Sequence, residues 1–248
     1  SIAMGLNDTA SGNQSLSMGG ISNTAGNNYS VAIGGSGNKV KGDGSAILGG
    51  YTDSISERLS VILAGENNVI TNLRSVAFGY NNRSTGQMSI VGGSTSLASG
   101  NYSIAIGQND TASGSSSVAF GQRNRAAGSN SFVAGASNYA SANQAVVFGN
   151  NDTATGSNTF ISGYNNYATQ NASAILGGNN NDATGQNAIV AGGNNNTAAG
   201  TNSLVAGAAN YASANQSVVF GNNDTATGSN TFISGYNNYA TQNASIIA

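Results

Sequence analysis

Residues Ser103–Ser116 read SIAIGQNDTASGSS, and residues Ser117–Asn130 read SVAFGQRNRAAGSN, so one 14-residue phrase occurs twice in succession. The phrase opens with a small polar residue, three mostly apolar residues and a glycine. It returns every 14 or 15 residues along the 248-residue chain, eighteen times from Ser1 to the last, shortened copy at Ser245. A fixed period this short is typical of a solenoid, in which each unit buries its apolar face only by stacking on its neighbours.

Each phrase contains two signals for short strands. The apolar triplet is too short for a helix, and its valine, isoleucine and phenylalanine favour a strand. An alanine flanked by serine or threonine and followed by glycine, as in Thr111–Gly114 and Thr153–Gly156, indicates a second strand. The glycines after the two strands mark corners, where a positive φ or a close approach of backbones is required. The sequence therefore predicts an all-β, parallel solenoid, or β-roll, of 14- to 15-residue coils with two short strands each.

Several coils carry one extra residue next to a doubled glycine, for example Gly49-Gly50 and Gly177-Gly178. We expect such a residue to be absorbed at the corner as a bulge or a wider turn, without a change in strand register.

The middle residue of the apolar triplet is apolar in every coil except at Ser17. Alternation along a strand puts this residue on the face opposite the outer two. We expect the middle residues to point away from the coil interior and to be buried against identical chains. A wider coil that buries both faces internally is the alternative. The interface candidates are Ile47, Ile62, Val91, Val133, Val147, Ile161, Ile175, Val190, Val205, Val219 and Ile233.

The composition argues against catalysis and against nucleic-acid binding. The chain has no histidine, cysteine, proline or tryptophan, and its nine carboxylates are spread along the repeats, so we expect no enzyme, no cofactor and no metal site. A net charge of -2 leaves no basic patch for nucleic acid. No apolar run is long enough to span a membrane, so we expect no membrane contact by this chain. The Asn-Asp-Thr-Ala segments at Asp8, Asp110, Asp152 and Asp224 are interpreted as Asx-type turns rather than calcium sites.

The two phrases quoted above closely resemble the head repeat of trimeric autotransporter adhesins of the YadA type, and the resemblance extends along the whole chain. It implies a left-handed parallel β-roll, a homotrimer, and an adhesive head on a bacterial surface, anchored in the outer membrane through segments outside this chain. The implied partners are an extracellular matrix protein, a glycan or a cell-surface receptor. Similar repeats occur in phage and viral fibres, so a structural fibre shaft in a virion or an extracellular filament is the alternative function.

A longer duplication is superimposed on the short repeat, because residues 131–173 return almost unchanged as residues 203–245. Only three positions differ between the two copies, and such near-identity is typical of a process that lengthens a rod. We therefore expect residues 1–248 to form one repetitive head or shaft domain of about eighteen coils, as a piece of a longer fibre.

Two sets of residues are candidates for an exposed recognition surface. Tyrosines stand just before the alanine of the second strand in alternate coils, where their rings serve either recognition or shielding of the coil edges. Threonines two positions later form an outward column, for which ice binding is a minor alternative. The candidates are Tyr139, Tyr167, Tyr211, Tyr239, Thr155, Thr169, Thr227 and Thr241.

Overall fold

A computed structural model describes all residues from 1 to 248, and these residues divide into two compact units, Ser1–Arg123 and Asn124–Ala248. Each unit is a parallel β-solenoid in which a longer strand and a two-residue strand alternate along the chain. No helix in the structure has the length and hydropathy needed to cross a membrane. The predicted all-β, parallel solenoid of about 14-residue coils with two strands per coil is therefore confirmed.

In the first unit the strands that begin in the apolar triplets form one sheet, and the two-residue strands form a second. The triplet strands are β1 (Ile2–Leu6), β3 (Leu16–Ile21), β5 (Val31–Ile33), β7 (Ala46–Ile47), β9 (Val61–Glu66), β11 (Val76–Tyr80), β13 (Ile90–Ser94), β15 (Ile104–Gln108) and β17 (Val118–Gln122). The two-residue strands are β2 (Thr9–Ala10), β4 (Thr24–Ala25), β6 (Lys39–Val40), β8 (Ser54–Ile55), β10 (Val69–Ile70), β12 (Arg83–Ser84), β14 (Leu97–Ala98) and β16 (Thr111–Ala112).

The second unit repeats this arrangement. Its triplet strands are β19 (Phe132–Ala136), β21 (Val146–Asn150), β23 (Phe160–Tyr164), β25 (Ala174–Ile175), β27 (Ile189–Asn194), β29 (Leu204–Ala208), β31 (Val218–Asn222), β33 (Phe232–Tyr236) and β35 (Ile246–Ile247). Its two-residue strands are β18 (Arg125–Ala126), β20 (Tyr139–Ala140), β22 (Thr153–Ala154), β24 (Tyr167–Ala168), β26 (Asp182–Ala183), β28 (Thr197–Ala198), β30 (Tyr211–Ala212), β32 (Thr225–Ala226) and β34 (Tyr239–Ala240).

Equivalent positions of successive coils pair with one another in register. In the triplet sheet of the first unit, Ile104 pairs with Val118 and Gly107 pairs with Gly121. In the other sheet, Ala98 pairs with Ala112. Each side chain therefore lies between its counterparts in the neighbouring coils, and any residue type that recurs in the repeat forms a continuous column.

The extra residue of the 15-residue coils is absorbed where it was expected. In β7 the pairing stops after Ile47 and resumes at Tyr51, which bridges to Glu66, so the doubled glycine lies between two correctly paired stretches. Between β1 and β3 the register shifts after Met4 and is restored at Leu6. The triplet positions stay aligned through these irregularities, as predicted.

The interior of each coil is narrow and holds few side chains. In one coil of the first unit, the middle triplet residue Ile47 and the short-strand residue Ile55 are both fully buried. In the second unit Val133 and Ala140 occupy the same two positions. The small residue that opens the phrase is buried in every coil except the first and the last. Where it is a serine, its hydroxyl can close a turn, as Ser131 Oγ does by donating to the Gly128 carbonyl at 2.6 Å.

Candidate interaction surfaces

The interface residues predicted from the sequence lie inside the coils instead of outside them. All eleven, from Ile47 to Ile233, have 0% of their surface exposed within a single chain, so none of them is free to contact another chain. The prediction of these residues as interface residues was wrong. The complete set is Ile47, Ile62, Val91, Val133, Val147, Ile161, Ile175, Val190, Val205, Val219 and Ile233.

The physical reason is the period of two along the strand. In the phrase that begins at Ser131, the buried serine and the middle residue Val133 are two positions apart and so share a face, which the turn-closing hydroxyl directs inward. The residues at either side, Phe132 and Ala134, must then point outward. Phenylalanine at these flanking positions could have indicated from the sequence that they face outward, because a ring does not fit beside an alanine inside a coil this narrow.

The first and third residues of the triplets form what we call the outer apolar face, described separately in each unit. In the first unit Ile2, Met4, Met18, Leu48 and Leu63 are exposed on it. In the second unit its exposed members are Phe148, Phe160, Leu176, Ile189, Phe232 and Ile246. Leu176 has 55% of its surface exposed, which is high for a leucine in a column of apolar neighbours. Each unit therefore presents a column of apolar side chains on the face opposite the coil interior.

Large and small side chains alternate along this face. Phe148 pairs with Ala134 on one side and with Ser162 on the other, and Phe220 lies in the same way between Ala206 and Ser234. The ring of Phe148 contacts that of Phe160 at a centroid distance of 6.3 Å, in a tilted arrangement. The face consequently has ridges at the phenylalanines and hollows at their small neighbours, a relief that a second surface with complementary ridges could fill.

The short strands present a different, mixed surface. Tyr167, Tyr211 and Tyr239 are exposed and Tyr139 is half-buried, with the guanidinium of Arg125 5.2 Å from the centre of its ring. Of the threonines predicted on this face, Thr227 and Thr241 are exposed, whereas Thr155 and Thr169 are half-buried. We call this surface the tyrosine-threonine face.

Asparagines at the corners form ladders, and two of these ladders run along the outside. Asn165 has φ 56° and accepts a hydrogen bond at Oδ1 from Asn151 Nδ2 at 2.6 Å. At the second corner Asn171 Oδ1 accepts from the backbone N–H of Ser157 at 3.1 Å. These contacts give the recurring asparagines a structural role, since each links one coil to its neighbour.

A third ladder, which sequence reasoning missed, lies inside the coils just before the short strands. In the second unit Asn138 donates its backbone N–H to Asn124 Oδ1, and its Nδ2 to the carbonyls of Ala134 and Gly149 at 3.1 and 2.7 Å. Aspartate takes the same place in several coils, and Asp152 Oδ1 accepts from the Asn166 backbone at 2.7 Å. The Asx-turn interpretation of Asp152 is therefore corrected, because its carboxylate bonds to the next coil.

Burial raises the pKa of the buried aspartates for which a shift is resolved. For Asp152 the cause is desolvation, opposed by hydrogen bonds from Asn166 and from the backbone of Asn150. For Asp53 desolvation also dominates, hydrogen bonds from Asn68 oppose it, and the charge of Glu66 adds to the rise in pKa. Desolvation likewise raises the pKa of Asp182, which stands on the tyrosine-threonine face. No three His, Cys, Asp or Glu side chains converge anywhere in the structure.

Comparison with known families finds two family models that match different parts of the chain. The family model of the YadA head domain repeat matches in two copies, at residues 84–109 and 112–138. The chain carries YadA-like head repeats. A second family model, the grass antifreeze beta roll, matches residues 156–248. No curated protein matches the chain.

Proposed function

We propose that this chain is an extracellular, trimeric adhesin head that attaches a cell to a matrix protein, a glycan or another cell surface, without catalysis. The observation that carries the proposal is the outer apolar face, which is half-buried in the coils that match the YadA head domain and carries exposed apolar side chains in the coils on either side of them. YadA head repeats belong to cell-surface adhesins, which supports an extracellular location. A structural fibre shaft with the same coils remains the competing function.

The trimer follows from the cost of leaving the outer apolar face in water. An apolar column that runs from coil to coil marks an interaction surface, and three copies around an axis bury the same face of each chain. The ridges at Phe148 and Phe220 and the hollows at Ala134 and Ala206 give that face the relief needed for close packing. Adhesion is then assigned to the tyrosine-threonine face, where many weak contacts, repeated along the coils and across three chains, add up to strong attachment.

Assembly is tested with the paired substitution Phe148→Asp and Phe220→Asp. We expect the mass from light scattering to fall from three chains to one, because two charges per chain would be buried in the interface. Tyr167→Asp and Tyr239→Asp, on the tyrosine-threonine face, form the matched control and should leave the trimer intact. A single-chain mass for the unmodified protein would contradict the trimer.

Adhesion is tested by binding the purified protein to immobilised matrix proteins, glycan arrays and whole cells. We expect the double variant Tyr167→Ala and Tyr239→Ala to lose most of the binding while the mass of the assembly is unchanged. If the unmodified trimer binds none of these surfaces, the structural fibre shaft becomes the better assignment.

Ice binding is the second candidate function, favoured by the match of residues 156–248 to the grass antifreeze beta roll. Thr225 and Thr227 supply the kind of threonine pair that a flat ice-binding face would need. In the coils on either side, however, the exposed side chains of Tyr211 and Tyr239 replace the first threonine of that pair. The measurement is thermal hysteresis and the growth of ice grains in the presence of the full chain. Activity that Thr227→Lys abolishes would support this candidate, and absence of activity would eliminate it.

A further inference from the structure

The interior ladder contains carboxylates at positions where the repeat otherwise places amides. Asp53, Asp152 and Asp224 are fully buried, and in each of them Oδ1 accepts the backbone N–H of the asparagine in the next coil at 2.7 Å. Their Oδ2 atoms are buried without a hydrogen-bond partner. An unpartnered buried oxygen is costly, so its surroundings decide which protonation state the fold favours.

Oδ2 occupies a position that a hydrogen-bond donor fills in the other coils. In the asparagine coils the equivalent atom is Nδ2, which donates to two carbonyls, as Asn181 does to Gly177 and Gly193 at 3.3 and 2.9 Å. A Cβ on Gly149 would lie 2.4 Å from Asp152 Oδ2 and 2.1 Å from the carbonyl oxygen of Gly163, so both oxygens border the same small space. An ionised carboxylate can only accept hydrogen bonds, whereas a protonated one carries an O–H donor.

We propose that the interior ladder is a proton-binding site, in which Asp53 and Asp152 retain a proton on Oδ2 at pH values where exposed carboxyls are ionised, and donate it to the corner carbonyls. The bound proton supplies the donor that Nδ2 supplies in the asparagine coils. No charged side chain adjoins Asp152 in the ladder, where its neighbours are Asn138 and Asn166. Asp53 is approached by Glu66, whose charge favours the protonated form as well.

The consequence for stability has a definite sign. Burial raises the folded-state pKa of Asp53 and Asp152 above the unfolded value of about 3.9, so the folded state holds more protons than the unfolded state above that pH. The stability that these two carboxyl groups contribute is therefore fully present below about pH 4, and it is lost as the pH rises through their folded-state pKa. This is the reverse of the usual case, in which an aspartate with a lowered pKa stabilises the fold at neutral pH and that contribution is lost in acid.

The test is thermal unfolding of the unmodified chain and of the double variant Asp53→Asn and Asp152→Asn, from about pH 3 to about pH 8. Asparagine already occupies most of the ladder, so the variant retains the donor at every pH. We expect equal unfolding temperatures near pH 3, and near pH 8 a variant that unfolds higher by about 2–4 °C per replaced carboxylate. Asp43→Asn is the matched control, because Asp43 is exposed and accepts only from the backbone of Asn28 at 3.0 Å.

A second readout is the infrared band of the protonated carboxyl group at about pH 5, above the ordinary aspartate pKa. We expect this band in the folded protein, unchanged in Asp43→Asn and reduced in the double variant. The proposal is overturned if the band is absent, or if the unfolding temperatures of the two proteins run parallel from acid to neutral pH. It is equally overturned if added Ca²⁺ or Na⁺ stabilises the unmodified protein near neutral pH and not the variant, because the carboxylates would then hold a metal ion.

Discussion

At the scale of single residues, the corners impose the strongest conformational demand. Each coil holds residues in the left-handed region, and asparagine, which tolerates that region better than most non-glycine residues, is the commonest at these positions, with 15 of the 32 non-glycine residues. Ala172 (φ 58°) and Leu59 (φ 59°) occupy the same kind of position without a side chain that compensates for it. The preference for asparagine at corners is visible in the sequence, and the left-handed backbone gives the reason wherever asparagine occupies such a position.

We expect Ala172→Gly to stabilise the protein by about 0.5–1 kcal/mol. The left-handed conformation costs a non-glycine residue about 1–2 kcal/mol, which glycine avoids. The greater freedom of glycine in the unfolded chain reduces this stabilisation. Ala174→Gly, two residues along in β25, is the matched control and should destabilise by about 1 kcal/mol, since there the backbone is extended. Urea denaturation measures both changes, and a loss of stability in Ala172→Gly would contradict the argument.

At the scale of the strand and its corner, stacking of the coils leaves no room for a side chain at the glycine of each corner that lies against the next coil. The two adjacent glycines Gly177 and Gly178 show the difference within one coil. A Cβ on Gly177 would meet nothing within 4 Å, whereas a Cβ on Gly178 (φ 98°) would overlap the Gly193 carbonyl and lie 2.7 Å from Asn181 Nδ2. The doubled glycine was recognisable from the sequence, but which of the two is indispensable depends on the next coil.

The two glycines should therefore differ sharply when each is replaced by alanine. We expect Gly177→Ala to be neutral or to stabilise by up to about 1 kcal/mol, because alanine loses less freedom on folding. Gly178→Ala should cost about 3 kcal/mol or more, since it combines backbone strain with a clash against a neighbouring backbone. Equal unfolding midpoints in urea for the two variants would show that the corner yields more easily than the structure implies.

At the scale of the whole molecule, repetition makes coils interchangeable wherever the register is preserved. The second unit contains a near-duplicate at an offset of 72 residues (203 - 131), and Asn130-Ser131 and Asn202-Ser203 are the same dipeptide. The equivalent strands β21 and β31 begin with the same residues and pair in the same register with the strands that follow them. Removal of one block therefore joins two equivalent positions of the repeat.

We expect the chain that lacks residues 131–202 to fold with the circular dichroism spectrum of parallel β-structure and with a cooperative unfolding transition. In repeat proteins stability is close to a sum over repeats and their interfaces, so the shortened chain should lose stability in proportion to the five missing coils. The control lacks residues 131–195, which puts a corner where a strand is needed. If that control unfolds like the register-preserving variant, coil identity does not determine the fold.

The sequence by itself determined the period, the two strands of each coil and their parallel, in-register stacking, because a recurring apolar triplet and two recurring glycines admit few other arrangements. Only the tertiary structure decided which side of the triplet faces inward. Alternation separates the middle residue from its flanking residues without saying which set is buried, and the width of the coil makes that choice. A coil closed by a serine hydroxyl and lined by alanine has room for Val133 and none for Phe132, so Phe132 and its equivalents form the outer apolar face. The interior ladder was decided in the same way, since only stacking places Asp152 between Asn138 and Asn166.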